Sequence, residues 1–580
     1  MIKVLKYLKP IKGDAIAAMI SVLISQISSL ILPLLMSLII NNGIVNADMQ
    51  YIKKIGLVMA AVSALHVLIS ACSSYFTSKT SAGYAKILRE NIFLKVESLS
   101  QNDIDKIGTA SLITRSTSDV KVLQDFVLQG LRMIISVPIM LVGGTFMAFF
   151  LNARLAMIIF AIIPVIALIA WITVKLVMPL FKKRQKLTDE VNRFLRQKLS
   201  GIRVIRAFNT SDYEDDRFSE KNKDLSGLVL KFQRIMSVLL PVCIVLVVVA
   251  LDSLIFIAAK NIDSMTDAVK IQSTVGDLQA FVIYMIMIVA SVTMVAAMFV
   301  IVPRANISAR RINEIMELEP TVKDIENPKS THEELKGQIE FQNVSFSYND
   351  AQRDVLSNIS FTAESGKVTA IIGSTGSGKS TVAGLISRFY DVKEGRILFD
   401  GVDVRELKQS DLHSKIGYVP QKAWLFSGSV EDNLRYGDAE ASEERLRFAL
   451  DVSQSSEFVD EMPNGIKSFI SQSGTNLSGG QKQRLSIARA LVRKAQVYIF
   501  DDSFSALDFK TDAALRKAIR ENIDATVLIV AQRVGTIIDA DKIIVLDDGK
   551  IVGMGKHDEL MESCAVYREI ALSQLSKEAV

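Results

Sequence analysis

Cysteine is nearly missing from this chain of 580 residues. The three present, Cys72, Cys243 and Cys564, are far apart, which excludes a disulfide framework and a cysteine zinc site. A dominant charge is missing too: 67 basic against 62 acidic residues leave +5, too little to imply a nucleic-acid partner. No internal repeat or low-complexity tract occurs. Charged residues make up only 22% against 49% hydrophobic, and mean hydropathy is +0.30. A soluble globular protein is itself roughly 45–50% apolar, so the distribution decides. Nearly all the long apolar runs lie before residue 303. A disordered chain, a secreted disulfide scaffold and a single soluble domain are thereby excluded, and the length suggests several domains.

A bilayer core needs about 20 consecutive, mainly apolar residues per helix. Six stretches qualify: roughly Ala15 to Ile40, Ile55 to Tyr75, Met133 to Leu151, Leu155 to Met178, Ile235 to Ala259 and Leu278 to Val302. The first is too long for a signal peptide and lacks a small-residue cleavage site. Basic residues in the connections set the orientation. The connection Phe181 to Arg234 carries 14 Lys and Arg, whereas Asn152 to Arg154 carries only Arg154, and Lys260 to Thr274 only Lys260 and Lys270. Both termini are therefore expected in the cytoplasm. The long polar connections after the second and fourth spans have helical patterns, so these spans are expected to continue as helices below the membrane.

Beyond Val302, Arg304 to Glu319 reads as a polar helix and Glu326 to Ser330 as a linker. From about Gly337, short β-rich runs alternate with helical ones, the pattern of an α/β domain with a mostly parallel sheet. Domains are expected at 1–303 and 337–580, joined by 304–336.

The run Lys367 to Ile372 has a buried-strand pattern and leads into Gly373, Ser374, Thr375, Gly376, Ser377, Gly378, Lys379, Ser380 and Thr381, followed by a helical stretch from Val382 to Phe389. This is a phosphate-binding loop in its strand–loop–helix context. Its glycines let backbone N–H groups approach phosphates, and the helix N-terminus adds a favourable dipole. Lys379 is expected to reach the β- and γ-phosphates and the Ser380 hydroxyl to ligate Mg²⁺. A second apolar strand, Val497 to Phe500, ends in Asp501, placed as such a site needs for Mg²⁺.

The run Leu477, Ser478, Gly479, Gly480, Gln481 resembles the signature sequence of ABC transporters and opens a helix from Lys482 to Val492. The resemblance covers the whole chain: an exporter-type half-transporter, a polytopic α-helical membrane domain of six transmembrane helices fused to an α/β P-loop nucleotide-binding domain. It implies further roles. Tyr348 matches the aromatic that stacks on adenine. Gln421 matches the glutamine that senses Mg²⁺ and the attacking water. Ser505 to Asp508 resembles the D-loop. Coupling helices are implied near Thr109 to Val120 and Asn209 to Phe218. ATP and Mg²⁺ are the implied cofactors, with Ser380, Gln421 and Asp501 as the metal set.

Two positions depart from the family pattern. Where the family carries a catalytic glutamate after the Walker B aspartate, this chain has Asp502, shorter by one methylene. A base must lie within about 2.6–3.2 Å of its proton or act through one water, so the shorter arm is expected to orient water poorly. Where the family carries a switch histidine, after the strand Thr526 to Val530, stands Gln532. The four histidines, His66, His332, His413 and His557, all lie elsewhere. Gln532 can donate an amide hydrogen bond but cannot carry charge or exchange protons. Gln472, where exporters often have glutamate, is a weaker departure. The pattern resembles heterodimeric exporters in which one composite site binds ATP and hardly turns it over.

The implied partner is a second, non-identical half-transporter, and the implied cargo hydrophobic or amphipathic: drugs, lipids or peptides. A homodimer with two slow sites, and a nucleotide-gated channel or sensor, remain as alternatives. Within the spans, His66 and Asp252 are candidate functional groups, because intramembrane ionisable residues are costly unless they face protein or water.

Overall fold

The computed structural model describes residues 1–151, 153–263, 268–330, 336–348, 353–578 of the chain. His332 and part of the anticipated linker lie outside the described residues. The chain divides into two compact units, residues 1–97 with 110–318, and residues 98–109 with 319–580.

The first unit is helical. Among the described residues its long helices are Lys12–Leu38, Met49–Glu97, Val120–Pro138, Ala153–Ser200, Ser211–Asp263 and Ala268–Glu317. Single π-turns, Ile39–Ile44 and Ile139–Gly143, prolong the first and third. Three runs, Ile2–Ile44, Met49–Glu97 and Thr109–Leu151, are long and apolar enough among the described residues to cross a membrane. The helices run on past the apolar stretches, as the polar connections suggested. The last continues unbroken to Glu317, so the polar stretch from Arg304 is its extension and not a separate helix. Leu57, Leu65, Val67 and Leu68 are exposed, a surface suited to lipid or a partner.

Small polar residues are buried between the helices beside apolar ones such as Leu88, Leu123 and Tyr284. Thr77, Thr80 and Ser291 are buried. Thr77 and Thr80 donate to the carbonyls of Ser73 (2.7 Å) and Phe76 (2.8 Å) in their own helix, which satisfies the hydroxyl protons within the helix. His66 Nδ1 lies 3.1 Å from the Ser25 carbonyl of the neighbouring helix, an interhelical contact. Asp252 is exposed. Two polar junctions escaped the sequence reading. Asp277 accepts from Ser37 (2.8 Å) and Asn41 (2.9 Å). Arg132 donates to Ser74 (3.0 Å) and Thr77. Both charges sit next to an apolar stretch, and that adjacency was the available signal.

The second unit is built on a six-stranded sheet. Its strands are β1 (Val368–Gly373), β2 (Ile416–Val419), β3 (Val497–Asp501), β4 (Thr526–Val530), β5 (Lys542–Asp547) and β6 (Lys550–Gly555), in the order β6-β5-β1-β4-β3-β2. All neighbours are parallel except β5 and β6. A smaller antiparallel sheet places Ile339–Phe346 between Leu356–Ala363 and Glu394–Phe399. Strands β3 and β4 are buried at every position, which explains their continuous apolar runs. Parallel strands deliver their C-terminal ends to one edge, and ligands of open α/β sheets bind outside that edge.

Candidate active site

Three adjacent strands, β1, β4 and β3, end side by side. β1 runs into the loop Gly373 to Thr381, and the helix Lys379–Ile386 starts inside it, three residues earlier than its apolar pattern suggested. Gly378 adopts φ +96°, a conformation that a Cβ disfavours. Gly373 is tighter still: a Cβ there would lie 2.0 Å from the Leu546 carbonyl oxygen of β5. Gly373→Ala is therefore expected to push β1 and β5 apart at a cost of about 1–3 kcal/mol. A thermal-shift scan of the purified full chain would register it as a melting point several degrees lower.

The ends of β1 and β3 meet. Ser380 Oγ donates to Asp501 Oδ1 at 2.8 Å, and Tyr418 reaches the other Asp501 oxygen at 3.5 Å. Lys379 Nζ donates to the carbonyls of Gly373 (2.9 Å) and Ser374 (2.7 Å). Burial lowers the Lys379 pKa and raises that of Asp501, with the Asp502 charge adding to the second effect. Such a cluster of desolvated charges of both signs is what a cation and an anion binding together would relieve. The Ser377 hydroxyl is buried in the loop with no hydrogen-bond partner, and Ser380 with Asp501 offers the hard oxygen donors Mg²⁺ prefers.

The third meeting point is Asp502. It sits at φ +47°, a conformation aspartate tolerates better than most residues, and its N–H donates to the Val530 carbonyl at the end of β4 (2.9 Å). Its carboxylate oxygen Oδ2 accepts from Gln421 Nε2 at 3.2 Å and from Gln532 Nε2 at 2.9 Å. The structure thus unites Asp502, Gln421 and Gln532, three residues separated by up to 111 positions, around one oxygen. Burial raises the Asp502 pKa, and the Gln421 hydrogen bond opposes it. Gln532 is itself held from the C-terminal helix: its carbonyl accepts from Gln574 Nε2 (2.8 Å), and Gln574 Oε1 accepts the Val534 N–H. Gln574 and Tyr418 carried no motif and went unnoticed in the sequence.

The other marked residues lie apart. Tyr348 is half-exposed; its hydroxyl lies 3.1 Å from Thr381 Oγ1 and its ring meets Tyr390 edge-on at 5.3 Å. Ser478 is the N-cap of the helix Gly479–Val492, which begins earlier than expected. Its Oγ accepts the Gln481 N–H at 3.3 Å and its own N–H donates to Gln481 Oε1 at 2.9 Å, a reciprocal capping box. Leu477 is half-buried against the core. Asp508 caps the helix Phe509–Asn522 through the Thr511 N–H (3.0 Å), which holds its carboxyl below the usual carboxylate range. His413 and His557 contact Ser387 and Tyr567, so neither stands at the end of β4.

Family models bear on this arrangement. Residues 15–299 match the ABC transporter transmembrane region, and residues 356–505 match ABC transporter. An uncharacterized ABC transporter ATP-binding protein of Mycobacterium tuberculosis is 38% identical over 573 residues, 98% of this chain and 97% of that protein. The chain belongs to the ABC transporter family. A Bacillus subtilis ABC transporter ATP-binding protein is 34% identical over all of this chain and 99% of its own. The ATP-dependent lipid A-core flippase of Haemophilus influenzae is 29% identical over 98% of this chain and 96% of its own. In fold, a bacterial Atm1-family ABC exporter with ATP bound superposes with a TM-score of 0.79 at 24% identity, covering 97% of this chain and 99% of that one. This ABC transporter is an ATP-hydrolysing transporter whose helical membrane domain, of the ABC exporter fold, is joined to its nucleotide-binding domain in one chain.

One expectation is corrected. The connection after the second long helix enters the nucleotide-binding unit through residues 98–109, with the short helix Gln101–Ile107, rather than through Thr109 to Val120, which belongs to the membrane unit from Ala110 onward. Ser100 and Asp103 form a capping box that starts this helix, a local signal present in the sequence.

Proposed function

We propose that this chain is the degenerate-site subunit of a heterodimeric ABC exporter. The observation that carries the reading is the Asp502 carboxylate. It is one methylene short of a glutamate, and one of its oxygens is occupied by two side-chain amides, Gln421 and Gln532. A base held in this way has less reach toward a water above the loop, and Gln532 turns its amide toward Asp502 rather than toward a phosphate. The loop, Lys379, Ser380 and Asp501 keep the geometry for holding ATP. Ser380 and Asp501, with Gln421 nearby, would hold Mg²⁺, which when bound supplies charge neutralisation on the phosphates. Tyr348 would stack on adenine. The signature Leu477 to Gln481 keeps a formed helix cap for the γ-phosphate held by the partner, and Asp508 lies on the D-loop beside it.

In this reading the membrane domain, expected at 1–303, crosses the cell membrane six times and the nucleotide-binding domain, expected at 337–580, follows it; the compact units differ in that the first runs to 318 and the second includes 98–109 and begins again at 319. The 14 basic residues from Phe181 to Arg234 support a cytoplasmic location for both termini. The exposed apolar helices fit hydrophobic or amphipathic cargo, and one relative is a lipid A-core flippase.

Purification of the tagged chain from its native membranes tests the reading. The expected result is a one-to-one complex with a different half-transporter that carries glutamate and histidine at the positions of Asp502 and Gln532. A tagged homodimer that hydrolyses ATP at the rate of the native membranes would refute it.

A further inference from the structure

The C-terminal helix Ala565–Glu578 is anchored in the nucleotide-binding unit through one face. Tyr567 and Ala571 are fully buried, and the Tyr567 hydroxyl lies 2.8 Å from His557 Nδ1. The same face, continued one turn further, presents Gln574, a half-buried polar residue where an apolar one would extend the stripe.

The amide of Gln574 meets the segment that follows β4. Its Nε2 donates to the Gln532 carbonyl at 2.8 Å, and its Oε1 accepts the Val534 N–H at 2.8 Å. One side chain thus satisfies the peptide groups on both sides of Arg533. Arg533 is the N-cap of the short helix Val534–Ile537 and makes no side-chain capping hydrogen bond, so Gln574 supplies the partner that the first helical N–H lacks. Just before Gln532, the Ala531 N–H donates to the Ile371 carbonyl of β1 at 3.0 Å. The backbone at position 532 is therefore fixed by β1 on one side and by Gln574 on the other.

The side chain at that position carries the consequence. Gln532 is exposed, yet its Nε2 donates to Asp502 Oδ2 at 2.9 Å, the oxygen that also accepts from Gln421. Holding an exposed glutamine in one rotamer costs entropy, and a backbone already pinned lowers that cost.

We propose that Gln574 is a positioning residue that clips the segment 532–534, holds the Gln532 amide on the Asp502 carboxylate, and so keeps this ATP site idle. The inference rests on the degenerate-site reading and names what restrains the short base. Gln574 acts through Gln532 and is not itself a catalytic residue.

Single-turnover ATP cleavage tests this on the full chain with its co-purifying partner, the other composite site being inactivated. Gln574→Met keeps the length and helix preference of the side chain but neither strong hydrogen bond. It is expected to raise the rate at this site by about three- to ten-fold, the scale of one net hydrogen bond, with half-saturation by ATP unchanged within about two-fold. Gln532→Ala frees the same carboxylate oxygen and keeps the backbone carbonyl that Gln574 binds, so a similar rise is expected. Added to Gln532→Ala, Gln574→Met should change the rate by less than about two-fold, because both act through one hydrogen bond. A merely structural loss would alter the rate equally in the two backgrounds. If Gln574→Met does not assemble, Gln574→Glu decides by the same criterion, since it keeps an acceptor for the Val534 N–H and loses the donor for the Gln532 carbonyl. No rise in Gln574→Met, or a rise that persists in full on top of Gln532→Ala, would overturn the clip and leave the degenerate-site reading standing. That reading falls, and the clip with it, if Asp502→Glu with Gln532→His is also without effect.

Discussion

Ser478→Arg is expected to remove nearly all ATPase activity from the purified complex, a fall of about 100-fold or more, whereas Asp502→Asn lowers it by less than about two-fold. On the proposed reading, the contrast follows from two half-sites carried by one chain. Ser478 is exposed and caps the helix Gly479–Val492 with a small side chain. Arginine removes the cap, a loss of about 1 kcal/mol, and fills the place where the partner's γ-phosphate approaches the helix dipole. Ser478→Thr keeps a capping hydroxyl and serves as the control, with activity close to that of the unaltered protein. Asp502 would belong to the other half-site, and one of its oxygens is already bound by Gln421 and Gln532. Steady-state phosphate release from both variants checks the assignment. Equal damage from Asp502→Asn would show that the division of labour between the sites is wrong.

The second large effect is a gain. Asp502→Glu combined with Gln532→His is expected to raise turnover at this site by about 10–100-fold, equivalent to about 1.4–2.7 kcal/mol of barrier. Glutamate extends the carboxylate by one methylene, and histidine restores a side chain that can carry charge. The two changes should not add. Asp502 and Gln532 share a hydrogen bond, so altering one leaves the other without its partner, and such coupled pairs deviate from additivity by about 0.5–3 kcal/mol. Part of the gain is offset because glutamate is less tolerant than aspartate of the φ +47° that position 502 adopts. Single-turnover measurement in a complex whose other site is inactivated isolates the effect. Unchanged turnover with ATP still bound would remove the basis for calling the site degenerate.

Most of the local structure was legible in the sequence. The strand Thr526–Val530 has the bounds its apolar run marked, and the strand ending in Asp501 differs by one residue. Both lie in the interior of a parallel sheet, where burial on two faces leaves an uninterrupted apolar signal. Helix starts were read late at Lys379 and Gly479, because Lys379 to Thr381 and Gly479 to Gln481 contain no apolar side chain and so carry no apolar period. The six apolar stretches mark helices that run well beyond them. Their polar ends, such as Arg304 to Glu317, follow from backbone continuity that hydropathy does not record.

Apolar periodicity, the glycine loop and the signature by themselves determined the fold class and the family, because each is a short-range pattern that backbone sterics and burial translate directly into structure. Only the tertiary structure decided what those residues do to one another. Strand order β6-β5-β1-β4-β3-β2 brings the ends of β3 and β4 together, and with them Asp502 and Gln532. It also sets Gln421, 81 positions from Asp502, on the same oxygen. Residues 98–109 belong to the nucleotide-binding unit, where Asp103 accepts a hydrogen bond from the Thr321 N–H, 218 positions away. No spacing rule connects positions so distant, since hydrogen-bond partners across a fold are chosen by packing and by the need to satisfy buried polar groups.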